Sequence, residues 1–153
     1  MPPRLRATPT ALGAPPDPTA LEEIVRAVGG SWTELDRLRR TAGTSVDVSE
    51  MTEAELRAFL AEQLPSNSGT VKTAWPADGI TARMTAEQLI SSIDDLWYLA
   101  TDDLIVLHED AAGTTVLFLD HEERLTVVRI HGGGHGGHDG AGRGQGPTDS
   151  RTT

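Results

Sequence analysis

The sequence predicts an α+β domain, with three or four short helices packed on a small antiparallel sheet. Apolar residues recur at helical spacing up to residue 98, and three β-type apolar runs then follow one another up to residue 130. The connections between these runs have hairpin length, which indicates a three-strand meander. Because the helices precede the strands, we expect the helices to cover one face of the sheet.

Both ends of the chain are predicted to lie outside this domain. Residues 1–18 carry six of the nine prolines, and residues 131–153 contain no aliphatic side chain larger than alanine. Neither segment can bury enough apolar surface to offset the entropy of ordering it, so we expect two disordered tails, the second rich in glycine and histidine. Residues 19–130 then form a single α+β domain with one modest core.

Start signals in the sequence define four helices. Capping-box patterns begin helices at Thr19 and Thr52, and Ser31 and Thr85 are expected to cap the other two. A glycine or a proline follows each of the first three helices and ends it. The predicted helices are residues 19–28, 32–42, 53–64 and 86–98.

The three β-type runs define the strands of the meander and their register. If Glu109 lies opposite Thr114 in the first hairpin, then Leu104 lies opposite Leu119. The predicted strands are residues 104–108, 114–119 and 124–130.

Two segments before the meander have weaker signals. Residues 71–75 predict a short edge strand that ends at Pro76, because proline cannot donate a ladder hydrogen bond. Residues 44–50 are mostly polar and predict a connection.

The negative charge of the chain is concentrated in one stretch. The formal net charge is −10, and residues 78–123 hold eleven of the 23 acidic residues with one basic residue, Arg83. A field of this sign repels nucleic acid and anionic membranes, and it favours basic partners or cations.

Several classes of protein are disfavoured by what the sequence does not contain. With no cysteine, disulfides and thiol nucleophiles are excluded. No apolar run approaches the roughly 18–20 residues that span a bilayer, and no signal peptide is visible. We therefore expect a soluble, cytoplasmic protein.

The meander register collects acidic residues at one end of the sheet. This cluster has three interpretations: a site for a hard divalent cation, a surface for a basic protein, or solvated turn residues. The residues expected there are Asp102, Asp103, Asp120, His121, Glu122 and Glu123.

Two aromatic residues lie beside further acids just before the meander. Trp97 and Tyr98 next to Asp94 and Asp95 resemble an interface core with an acidic rim, although the core of the domain is an alternative that suits Trp97 better than Tyr98. The predicted partner-binding residues are Asp94, Asp95, Trp97, Tyr98, Asp102, Asp103, Asp120, Glu122 and Glu123.

The tail contains the only pattern typical of transition-metal ligands. His131, His135 and His138 are three or four residues apart, a spacing that can chelate Ni²⁺, Cu²⁺ or Zn²⁺. No cofactor motif is present, and we predict no cofactor.

Catalysis and DNA binding are disfavoured by the arrangement of the residues that would serve them. The segments 108–110 and 120–122 supply acid and base side chains, but the register places them at opposite ends of the sheet, roughly 15 Å apart at about 3.3 Å per residue. An arginine cluster in the second predicted helix suits a helix-turn-helix, but the acidic charge of the chain opposes DNA.

The sequence therefore predicts a small acidic binding protein without catalytic residues. It would neutralise or chaperone a basic protein, as an immunity protein or an antitoxin does. Two alternatives stay open: an accessory or structural subunit of a phage or multiprotein assembly, and a metal-dependent enzyme that uses the acidic hairpin end. The oligomeric state is not predicted.

Overall fold

A computed structural model describes residues 13–41, 43–64, 69–97 and 103–131. Those residues form five helices and a six-stranded antiparallel sheet, which confirms the α+β class. The helices are α1 Ala20–Ala27, α2 Trp32–Thr41, α3 Glu53–Gln63, α4 Ala86–Ser91 and α5 Ile93–Leu96. The strands are β1 Thr44–Asp47, β2 Thr70–Trp75, β3 Ile80–Thr85, β4 Leu104–Asp110, β5 Gly113–Leu119 and β6 Arg124–His131.

The C-terminal meander is the centre of the sheet, whose strand order is β1-β6-β5-β4-β2-β3. Its predicted register is confirmed, because Glu109 lies opposite Thr114 and Leu104 lies opposite Leu119. This register places the start of β4 beside the end of β5, where the acidic residues were expected.

Two strands were not predicted, and they enlarge the sheet on both sides. β1 pairs with β6 although it contains a single aliphatic residue, Val46. β3 pairs with β2 across a turn at Asp78 and Gly79. The edge position predicted for residues 71–75 is wrong, because β2 lies between β3 and β4. Pro76 ends β2 without donating to the ladder, so it does not require an edge.

Helices cover both faces of the sheet, and the prediction that they cover one face is wrong. α1 and α2 pack through Ile24 and Leu35 on the face that carries Ile105 and Phe118. α3, α4 and α5 pack on the opposite face, around Trp75. Unbroken apolar runs such as residues 104–107 are what a strand buried on both faces requires.

The segment before α1 is ordered against the edge of the sheet. Pro16 forms a bridge with Ala82, the carbonyl of Pro15 accepts from the Arg83 N–H at 3.0 Å, and Ala14 is buried. Residues 13–18, expected in a disordered tail, therefore cover the outer edge of β3. The other residues of the two predicted tails lie outside the described residues, except His131.

Some of the predicted helix caps form and others do not. Thr52 forms the predicted capping box with Glu55, whereas the side chain of Thr19 caps nothing and instead donates to Asp17. The helix predicted at residues 86–98 is interrupted at Ser92 and becomes α4 and α5.

Two polar contacts tie helices to the sheet. The indole N–H of the fully buried Trp75 donates to the carbonyl of Leu96 at 2.9 Å, at the end of α5. On the other face, Lys72 of β2 forms an ion pair with Glu23 of α1. Among the described helices, none has both the length and the apolar character to cross a membrane.

Candidate binding cleft at the acidic end of the sheet

The turn between β5 and β6 is built around the carboxylate of Asp120. Its Oδ1 accepts hydrogen bonds from the backbone N–H groups of Glu122 at 2.9 Å and Arg124 at 3.1 Å. Glu123 has a φ of 59°, a left-handed conformation that is uncommon for a residue other than glycine. Its carbonyl accepts from the Val48 N–H at 2.9 Å, so the turn is also held by the segment after β1.

Asp103 fastens this turn to the start of β4. Its Oδ1 accepts from the backbone N–H of His121 at 3.0 Å and lies 3.0 Å from Nδ1 of the same residue. This hydrogen bond, the charge of Asp103 and, more weakly, the charges of Asp120 and Glu122 raise the pKa of His121 above its ordinary value of 6.5. A protonated His121 therefore offsets part of the acidic charge.

Asp103 directly precedes Leu104 and Asp120 directly follows Leu119, and these two leucines form the last pair of the β4–β5 ladder. Both border one cleft, together with Ile105 and Phe118 from the same two strands. Like charges that border one cleft repel, so these two carboxylates favour a cation there, a role that His121 and Arg39 fill in part.

The cleft has a volume of about 190 Å³ and lies between α2 and the acidic end of the sheet. Its floor is apolar, and Trp32, Leu35 and Arg39 of α2 form one wall, because positions i, i+3 and i+7 share a helix face. Pro76, after β2, borders the same space.

Trp32 is the exposed aromatic residue of this site, and no sequence pattern predicted its place there. It is 47% exposed and is the one large hydrophobic side chain exposed to that extent among the described residues. Its position at the first residue of α2, whose Glu34 N–H donates to Ser31, places it at the mouth of the cleft. A tryptophan at the first residue of a predicted helix was the only sequence signal for it.

The charges around the cleft are mixed, with three carboxylates and one guanidinium. Asp36 forms an exposed ion pair with Arg40 at 3.0 Å. Arg39 forms no ion pair within the part of the chain that the structure describes. Its positive charge therefore partly offsets the negative charges of Asp103 and Asp120 in the cleft.

The structure separates some predicted partner-binding residues from this cleft. Asp94 and Asp95 belong to α5, on the other face of the sheet, and Asp94 Oδ1 accepts from Arg57 at 2.9 Å. Trp97 is 5% exposed and packs in the core on that face, so its burial supports the core interpretation that the sequence left open.

The remaining predicted residues divide between the turn and the undescribed parts of the chain. Glu122 and Glu123 lie in the turn beside the cleft. Tyr98, Asp102, His135 and His138 lie outside the described residues, and of His131 only the backbone, at the end of β6, is described. Within the described ranges, no group of three or more histidine, aspartate or glutamate side chains is arranged to hold a metal ion.

Comparison with known proteins gives no relative for this chain. No protein-family model, no curated protein and no solved structure matches it. The function is therefore argued from the cleft itself.

Proposed function

We propose that this protein is a small acidic binding module that captures a basic protein partner through the cleft, and so neutralises or chaperones that partner. The observation that carries this proposal is the position of the exposed Trp32 in the same cleft as Asp103 and Asp120. An immunity protein or an antitoxin, acting in the cytoplasm, is the kind of protein that works in this way.

The properties of the cleft support a protein partner over a small molecule. Small-molecule sites usually enclose about 300–1,000 Å³, whereas this cleft of about 190 Å³ has room for little more than one side chain. Tryptophan is enriched among the residues that dominate protein interfaces. The surrounding acidic charge speeds encounter with a cationic surface and disfavours nucleic acid and anionic membranes.

Affinity capture from a native lysate tests this proposal with three forms of the full chain. The wild type is compared with Asp103→Asn/Asp120→Asn, which keeps the oxygen acceptors and removes two charges. Glu62→Gln/Glu87→Gln is the matched control: it removes two charges from exposed residues on α3 and α4, which pack on the opposite face of the sheet.

We expect basic proteins to be retained by the wild type and the control, and to be lost from the cleft variant. Retention by all three forms, or by none, would contradict the proposal. Light scattering on the purified chain adds a separate criterion, because a stable homo-oligomer without a basic partner would favour the accessory subunit of an assembly.

A further inference from the structure

We propose that the cleft binds one arginine side chain of the partner, as the anchor of the complex. This inference rests on the proposed function and names the group that the cleft recognises. It follows from the charge at the end of the β4–β5 ladder, the exposed face of Trp32 and the size of the cleft.

The first argument is the repulsion between two neighbouring carboxylates. Asp103 precedes β4, Asp120 follows β5, and both border the same cleft. Asp120 is 7% exposed, its Oδ1 accepts from two backbone N–H groups, and it forms no ion pair among the described residues, so the charges of His121 and Arg39 offset its charge only in part. A bound cation would reduce the remaining repulsion between the carboxylates of Asp103 and Asp120.

The second argument is the shape and chemistry of the remaining lining. The indole of Trp32 offers an exposed face on which a guanidinium can stack with a cation–π attraction. Ile105 and Phe118 provide an apolar floor for the aliphatic stem of a long basic side chain. A volume of about 190 Å³ suits one such side chain.

Arginine fits this combination better than lysine does. A guanidinium is planar and carries five donors in a rigid fork, so it can stack on an indole and donate to two carboxylates at once. An ammonium is a compact point charge that keeps its hydration more strongly. We therefore assign the cleft to arginine.

Substitution of Arg39 distinguishes most clearly between a cationic and an anionic ligand. If the ligand is a cation, the charge of Arg39 weakens its binding, and Arg39→Gln should tighten it about threefold, the change expected for a partly exposed charge pair. If the ligand is an anion, the same substitution should abolish binding.

The test is an NMR titration of the ¹⁵N-labelled full chain with N-acetyl-arginine amide. N-acetyl-citrulline amide serves as the uncharged isostere, and N-acetyl-lysine amide serves as the alternative cation. The chain has three tryptophans, so Trp32 is observed through its own indole N–H signal while the buried Trp75 and Trp97 act as internal references.

We expect the arginine amide to shift the Trp32 signal and to bind about tenfold tighter than the citrulline amide, as loss of a charge-assisted hydrogen bond would produce. Asp103→Asn/Asp120→Asn should weaken binding by a similar factor, and Glu62→Gln/Glu87→Gln should leave it unchanged. Equal binding of citrulline or of lysine, shifts confined to other residues, or loss of binding in Arg39→Gln would overturn the inference.

The two proposals fail in distinguishable ways. If a basic protein is captured through Asp103 and Asp120 but the arginine amide does not bind, the proposed function stands and the arginine anchor is wrong. If the amide binds in the cleft but no basic protein is captured, the anchor stands and the proposed function is wrong.

Discussion

Asp103 uses one carboxylate oxygen to hold both the backbone N–H and the imidazole Nδ1 of His121, each at 3.0 Å. This contact joins the start of β4 to the β5–β6 turn and fixes the two segments that carry Asp103 and Asp120. It also makes the charge beside the cleft depend on the protonation of one exposed histidine.

The first prediction concerns the pH dependence of this contact. Because the folded-state pKa of His121 is raised above 6.5, the protonated ring stabilises the fold at low pH, and that contribution is lost as the pH rises through the folded-state pKa. NMR titration of the His121 ring should give a midpoint above 6.5. Asp103→Asn should lower this midpoint, and a midpoint unchanged by the substitution would contradict the assigned cause.

Binding should respond to pH in the opposite direction. Deprotonation of His121 removes a positive charge that sits among Asp103, Asp120 and Glu122, so affinity for a basic partner should rise as the pH passes the folded-state pKa. Affinity measured on both sides of this pKa checks the sign. His121→Asn should remove most of the dependence, and an affinity that falls with rising pH in the wild type would contradict it.

The left-handed conformation of Glu123 predicts a stabilising substitution. Glycine adopts this conformation without the clash of a Cβ atom, so Glu123→Gly should stabilise the fold by about 1 kcal/mol. Chemical denaturation of the full chain measures the change. Glu122→Gly is the matched control in the same turn, and it should be neutral or destabilising because its φ is not positive. A loss of stability in Glu123→Gly would contradict the turn geometry.

We expect the same substitution to have different effects on stability at two tryptophans. Trp75→Phe removes the indole donor from the buried Leu96 carbonyl and leaves a space, so it should destabilise the fold by about 2–4 kcal/mol. Trp32→Phe changes an exposed side chain and should alter the free energy of unfolding by no more than about 0.5 kcal/mol. Equal losses in both variants, measured by chemical denaturation, would contradict the placement of Trp32.

Asp94 and Asp95 are neighbours for which different roles are expected. Asp94→Asn weakens the ion pair with Arg57 that ties α5 to α3, and it should cost about 0.5–1 kcal/mol of stability because the pair is partly exposed. Asp95→Asn should cost less. Neither should weaken capture of a basic partner by more than about twofold, because α5 packs on the face opposite the cleft. A large loss of binding in either variant would show that α5 is part of the binding surface.

The elements that the sequence predicted well are those determined by neighbouring residues. The register of Leu104 with Leu119 follows from a short hairpin, and the Thr52 capping box is complete within four residues. β1 was missed because a strand with one aliphatic residue is stabilised by its ladder with β6, about eighty residues away. The unbroken apolar runs of β4 and β5 already indicated burial on two faces. This was missed because a single layer of helices was assumed.

The candidate site was predicted in part for the same reason. Asp103 and Asp120 come together through the local meander, so their proximity could be deduced from the register. Trp32 shares the cleft with them only because α2 packs on the sheet, which brings together residues about 70 to 90 positions apart in the chain. Trp97 is adjacent to acidic residues in sequence, yet the packing of α5 buries its ring.

The central claim is that Asp103, Asp120 and Trp32 form the surface that holds a basic partner. The most direct measurement is the dissociation constant of a captured partner with the wild type, Asp103→Asn/Asp120→Asn and Glu62→Gln/Glu87→Gln. We predict a rise of at least about tenfold for the cleft variant and less than about twofold for the control. An equal rise in both variants would show that net charge alone governs binding, and would contradict the cleft as the binding site.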